Sequence, residues 1–130
     1  MAITYGAETD ITPSGLQSLA SGASVVTASI TNTTSDALIT ITVSGTTSTT
    51  AYISVYLLSS QDGVNFDTFA SARMLGAINF STSPQQRTYS IANDSGLGAP
   101  PPYYEILIFN NTGAALAASG NSVKITTVQY

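Results

Sequence analysis

Residues 37–44 read ALITITVS, setting Ile39, Ile41 and Val43 against Thr40, Thr42 and Ser44 in strict alternation. A period of two is the geometry of a strand with one face in a core and the other in water, and β-branched residues suit both. Residues 51–60 (AYISVYLLSS) repeat the pattern, with Ile53, Val55 and Leu57 on one side and Tyr52, Ser54 and Tyr56 on the other. The polar stretch 45–50 between them reads as a hairpin connection. Further strands are expected at 24–31, 66–70, 74–80, 87–92, 103–110 and 122–129. Asp62-Gly63, Ser83-Pro84, Thr112-Gly113, Ser119-Gly120 and Asn121 supply turn chemistry between them.

About eight short strands with no convincing helix between them predict an all-β fold: a single-domain antiparallel β-sandwich, jelly-roll-like. The 130 residues fit one domain, and an apolar content of 43% is enough for one core. Residues 5–22 fall outside the strand pattern, being small and polar with Tyr5, Ile11, Leu16 and Leu19 isolated among them. They predict an extended N-terminal arm (1–22) ahead of a sandwich domain (23–130), docking on a partner because so few apolar side chains cannot form a core. Residues 93–102 end in Pro100, Pro101 and Pro102, which favour a stiff polyproline stretch and cannot donate to a ladder. That loop is expected to cross between sheets or reach a neighbour.

Charged residues make up 8% of the chain against a typical ~25%. Its polarity comes from nineteen Thr and eighteen Ser, which hydrogen-bond without creating a field. With a net charge of −4 and only Arg73, Arg87 and Lys124 positive, the chain has no basic patch to neutralise phosphates, and no nucleic-acid partner is expected. There is no Cys, which excludes disulfides and thiolate metal sites. The first fifteen residues lack a basic region followed by an apolar run, and no stretch approaches the ~20 apolar residues of a membrane helix. A soluble protein made in a cytoplasm, with no membrane partner, is expected.

The absence of His removes the Ser-His-Asp and Cys-His nucleophilic systems and imidazole metal ligation. The seven carboxylates, Glu8, Asp10, Asp36, Asp62, Asp67, Asp94 and Glu105, fall mostly in turns or in the arm, where Asp is expected for Asx-turn bonding rather than for a glycosidase pair. No catalytic residue, cofactor or metal is assigned. Asp62, Asn65 and Asp67 offer oxygens of the kind Ca²⁺ takes, but their spacing departs from the calcium-loop pattern and no Glu closes it. An Asp-Gly hairpin turn returning Phe66 to the core is the preferred reading. The same segment resembles the S-x-D-G-x-x-W/F hairpin of carbohydrate-binding sandwich domains.

Tyr103 and Tyr104 open a strand in which Tyr104, Ile106 and Ile108 share one face and Tyr103, Glu105, Leu107 and Phe109 the other. With both faces largely apolar, a second layer over the sheet is expected, which a neighbouring subunit would supply. This favours an interface over a sugar platform, and a homo-oligomer, with a trimer preferred.

A wider resemblance runs along nearly the whole chain. It comprises Leu16-Gln17-Ser18-Leu19-Ala20-Ser21-Gly22, the strands 37–43 and 52–58, Arg73-Met74-Leu75-Gly76-Ala77-Ile78, Thr88-Tyr89-Ser90-Ile91 and Pro102-Tyr103-Tyr104. Its most specific part is Asn110-Asn111-Thr112-Gly113-Ala114-Ala115-Leu116 followed by Gly120-Asn121. In this order of features the chain resembles a family of small virion structural proteins of tailed bacteriophages. The resemblance implies a non-enzymatic virion component, a capsid cement or decoration protein binding the major capsid protein or another virion protein in many copies, with a tail or neck location as the alternative. A carbohydrate-binding sandwich module is the reading from a different class. For the virion reading, the expected contact residues are Tyr5, Ile11, Leu16, Leu19, Pro100, Pro101, Pro102, Tyr103 and Tyr104.

Overall fold

The computed structural model describes residues 2–130. Ten strands form two antiparallel sheets: β1 (Thr4–Tyr5), β2 (Thr9–Asp10), β3 (Ala23–Val26), β4 (Ile30–Thr31), β5 (Asp36–Val43), β6 (Tyr52–Ser60), β7 (Arg73–Asn79), β8 (Gln85–Ser90), β9 (Tyr103–Asn110) and β10 (Ser122–Gln129). One sheet has the order β1-β10-β5-β8, with β2 also on β10; the other has β3-β9-β6-β7, with β4 also on β9. Since β1 and β2 share one edge and β3 and β4 share another, the chain makes eight functional strands, four per sheet. First pairs with last, second with seventh, third with sixth and fourth with fifth. That nested pairing, wrapped across two sheets, is a jelly roll.

The alternating residues behave as their period requires. Ile39, Ile41 and Val43 of β5, Ile53, Val55 and Leu57 of β6, and Tyr104, Ile106 and Ile108 of β9 all point between the sheets and are buried. Thr40, Thr42 and Thr88 lie on the outer face of the first sheet, where Thr40 and Thr88 share a hydrogen bond of 3.0 Å across β5 and β8.

Three expectations are corrected. Residues 45–50 do not form a hairpin: β5 and β6 belong to different sheets, so this stretch crosses the sandwich. The crossing is fixed where Gly45 lies on the buried Phe80 ring, so closely that a Cβ would come within 2.5 Å of it. Residues 66–70 are not a strand. Thr68 and Ser71 bond each other and their neighbouring backbone to make a short 3₁₀ turn at Phe69–Ser71, and such side chains compete with ladder pairing. Residues 91 and 92 leave the expected strand for a single helical turn, α1 (Ile91–Asp94), capped by Ser90 and held to β5 by the buried Asp36, whose carboxylate accepts from the amides of Ala37 and Ala92 and from Ser90 Oγ.

The largest correction concerns the arm. Leu16 and Leu19 are buried members of the inter-sheet core, with Ile11 packed against it, and β1 and β2 extend the first sheet. Residues 2–22 are thus part of the sandwich and not a free appendage. Their docking site is on the same chain. Gln17 donates through Nε2 to the carbonyl of Asn121 (2.6 Å) and accepts at Oε1 from that residue's amide and side chain (3.2 and 2.8 Å). Asn110, fully buried, donates to the carbonyls of Leu19 and Ala114. The segment from Asn110 to Leu116, with Asn121, is the seat for the strap that carries Leu16 and Leu19.

On the opposite side, free edge strands β7 and β8 face each other across the sandwich. Tyr89 of β8 reaches over to Gly76 of β7, where a Cβ would fall 2.7 Å from its ring. Arg87 lies over that ring at 5.2 Å and donates to the carbonyl of Ala77 at 2.9 Å, taking up an edge acceptor of β7. Arg73 closes the same side further along by donating to the carbonyl of Ser95. Among the described residues the Tyr89 hydroxyl is a buried polar group without a partner. Tyr89→Phe is therefore expected to leave stability unchanged or raise it by about 1 kcal/mol, since an unpaired buried hydroxyl is a net cost. Urea denaturation checks this; a loss of similar size would show that the hydroxyl is satisfied.

Candidate functional site

The outer face of the second sheet carries the strongest surface feature. The register aligns Val26 of β3, Leu107 of β9, Tyr56 of β6 and Met74 of β7 in one row across all four strands. The next row places Phe109 between Ser24 and Ser54. Phe69, from the 3₁₀ turn between β6 and β7, lies over both rows, its ring 4.9 Å from Tyr56 and 5.0 Å, edge-on, from Phe109. Leu58 and Leu107 are buried yet stand apart from the inter-sheet core, so a second, smaller apolar layer exists outside the sheet. Part of the second layer that β9's two apolar faces called for is thus supplied by the chain's own 61–72 loop.

The cover is incomplete. Val26 at one end of the row and Met74 at the other remain 38% and 49% exposed, and Phe69, over the middle, is 39% exposed. Singly exposed apolar residues are ordinary, but a contiguous patch marks an interaction surface. Glu105 stands on this same face opposite Leu58, and partial burial pushes its carboxyl above the ordinary range. Sequence reading had marked Leu107 and Phe109 as sharing a face. It missed Val26, Tyr56, Phe69 and Met74, because their neighbourhood depends on cross-strand register; the available signal was the matching parity of Tyr56 and Leu107 in two strands apolar on both sides.

The expected contact residues are dispersed. Tyr5 is exposed on β1, while Ile11 is half-buried and Leu16 and Leu19 are core. Pro100 and Pro101 are buried where the chain crosses from the first sheet to the second, and Pro102 is exposed. Tyr104 is buried between the sheets, where desolvation holds its phenol protonated well above the usual range. Tyr103 is half-buried against the Asp62-Gly63 turn, its ring 3.2 Å from where a Gly63 Cβ would stand. Leu16, Leu19, Pro100, Pro101 and Tyr104 are corrected from contact residues to interior ones. Each is apolar and finds room inside that no local pattern reveals.

The 60–67 segment binds itself. Asp62 Oδ1 accepts from Ser60 Oγ (3.0 Å) and from the amides of Val64 and Asn65 (both 2.8 Å), and Oδ2 accepts from Asn65 Nδ2 (2.8 Å). This is an Asx turn with its carboxylate saturated, and Gly63 takes the positive φ (+77°) that such a turn needs. Phe66 is only half-buried, short of the core return expected of it. Among the described residues no three His, Cys, Asp or Glu side chains gather as a metal site would require.

Those hydrogen bonds, the backbone ones first, hold the Asp62 carboxyl well below the usual carboxylate range. A carboxyl whose pKa is depressed by folding stabilises the folded form above the unfolded value and loses that contribution as pH falls through the folded one. The turn is therefore expected to persist at pH 4 and to loosen only in stronger acid. Amide exchange at Val64 and Asn65 measures it, and loss of protection between pH 5 and 4 would contradict the assignment.

No family model matches this chain, and no curated protein is significantly similar to it. Among the described residues, no helix is long and apolar enough to cross a membrane. What the chain does must be argued from its own surface.

Proposed function

We propose that the protein is a non-enzymatic structural subunit of a tailed-phage virion, a capsid cement or decoration protein that binds the assembled head in many copies through the outer face of its second sheet. The observation that carries this reading is the row Val26, Leu107, Tyr56 and Met74, capped incompletely by Phe69. A surface with this much apolar side chain and so little charge is suited to close, repetitive contact. The two-sheet jelly roll is a fold used in capsids, although the same fold serves lectins and enzymes and carries no function by itself. The sequence resemblance to small phage virion proteins points the same way. A neck or tail location is the second reading within this class.

Quantitative proteomics of purified particles from the phage carrying the gene tests both. Copies comparable in number to the major capsid protein are expected; about a dozen would move the protein to the neck or tail, and none would end the virion reading. Met74→Glu combined with Val26→Asp should leave the fold intact, because both side chains are exposed, and abolish co-sedimentation with particles lacking the protein. Unimpaired binding would remove this face from the assembly contact.

A further inference from the structure

The side of the sandwich where β7 and β8 face each other holds a second surface feature, polar where the outer face of the second sheet is apolar. Two depressions of about 430 and 190 Å³ meet there and share Tyr52, Asn79 and Gln85 in their walls. Both are open to solvent, and the larger lies in the size range of ligand clefts, ~300–1,000 Å³. Tyr52 opens β6 and is 54% exposed, paired with Asn79 on the edge strand. Gln85 and Gln86 come from β8 across the seam.

We propose that this seam binds a neutral oligosaccharide. Sugar rings present an apolar C–H face and a rim of hydroxyls that donate and accept, so a site needs an exposed aromatic ring beside planar groups offering both kinds of bond. Tyr52 is the ring. Gln85 spends its amide nitrogen on the carbonyl of Ser83 (3.2 Å), which directs its oxygen to act as acceptor. Gln86 is turned aside, accepting from Thr42 Oγ1 (3.4 Å) on the outer face of the first sheet. Asn79 is exposed and adds a second carboxamide, whose NH₂ is a donor.

Charge separates this ligand from the alternatives. Arg87 is the one formal charge in the groove wall, anchored by the Ala77 carbonyl and the Tyr89 ring, and every other lining residue is uncharged. A peptide adding as a strand to β7 would find that same Ala77 acceptor taken. Uncharged hydroxyls suit what remains.

Tyr52 shares the outer face of β6 with Tyr56, four residues away, so the groove borders the proposed assembly face; its lining contains neither Val26 nor Met74, so each can be disabled alone. Saturation-transfer NMR with linear tetra- to hexasaccharides of glucose, galactose, mannose and N-acetylglucosamine tests the proposal on the full chain. At least one probe is expected to bind, with Tyr52→Ala and Gln85→Ala each weakening it about tenfold, or about 1.4 kcal/mol, and Tyr52→Phe retaining it. Asn79→Ala serves as a further variant at an exposed position. The proposal is overturned if none of the four probes binds, if binding survives both Tyr52→Ala and Asn79→Ala, or if only Asp62→Asn abolishes it, which would place the sugar on the 60–67 turn.

Discussion

A chain lacking residues 2–22 is expected not to fold. Read as an arm, this segment would be dispensable to the sandwich, but Leu16 and Leu19 are buried in the core between the sheets. Truncating one such leucine to Ala typically costs about 2–5 kcal/mol, and a domain of this size has only about 5–15 kcal/mol in total. The deletion also strips Gln17 from Asn121 and removes the carbonyl of Leu19 from Asn110, so each buried side-chain amide loses one of its partners. Far-ultraviolet circular dichroism should show loss of the β signal, with no cooperative melting transition. Deleting only residues 2–10 provides the contrast. That removes β1 and β2, whose residues are all exposed, and should lower the melting temperature by a few degrees while the jelly roll persists. A folded, cooperatively melting 2–22 deletion would show that the strap is an accessory after all.

Asn110→Ala is expected to be the most damaging single substitution of a polar residue. The side chain is fully buried at the end of β9 and makes four hydrogen bonds: Nδ2 to the carbonyls of Leu19 (2.9 Å) and Ala114 (2.8 Å), and Oδ1 from the amide (3.2 Å) and hydroxyl (2.7 Å) of Thr112. It joins the strap, the strand end and the 111–116 turn at one point. Each unpaired buried group costs about 1–3 kcal/mol, so a loss of about 3–5 kcal/mol in urea denaturation is expected. Asn110→Asp sharpens the test. At neutral pH its carboxylate would face two carbonyl oxygens in place of a donor, whereas in acid the protonated form regains one donor. The Asp variant should therefore recover stability relative to the wild type as pH falls. A loss below about 1 kcal/mol for Asn110→Ala would mean that water takes over the four bonds and that the strap is held by its leucines alone.

The strands were legible where the alternation was long. Residues 103–110 and 122–129 are strands to the residue, and 37–44 and 51–60 shift by only one position, because eight or nine alternating positions with β-branched side chains leave little room for another conformation. The failures fall where the pattern is short. Residues 66–70 offered five positions, two of them Asp and Thr, and side chain to backbone bonds took them into a turn. The 45–50 stretch had the composition of a hairpin loop, and nothing in it distinguishes a return beside the same strand from a crossing to the other sheet. The strap looked like an appendage because Leu16 and Leu19 lie within a polar segment; their place in the core follows from Gln17 and Asn121, which are 104 positions apart.

By itself the sequence determined that the chain is all-β, which side chains share a strand face, and that imidazole and thiolate chemistry are absent. Those properties depend on residue identity and on a period of two, both of which are local. The tertiary structure decided which strands share a sheet, that the strap completes the core, and that Val26, Leu107, Tyr56 and Met74 line up across four strands. A slip of one residue in any of those pairings would turn the row to the opposite face. Register is set by the whole nested wrapping of first strand on last, and a surface assembled from four separate strands exists only once that wrapping is complete.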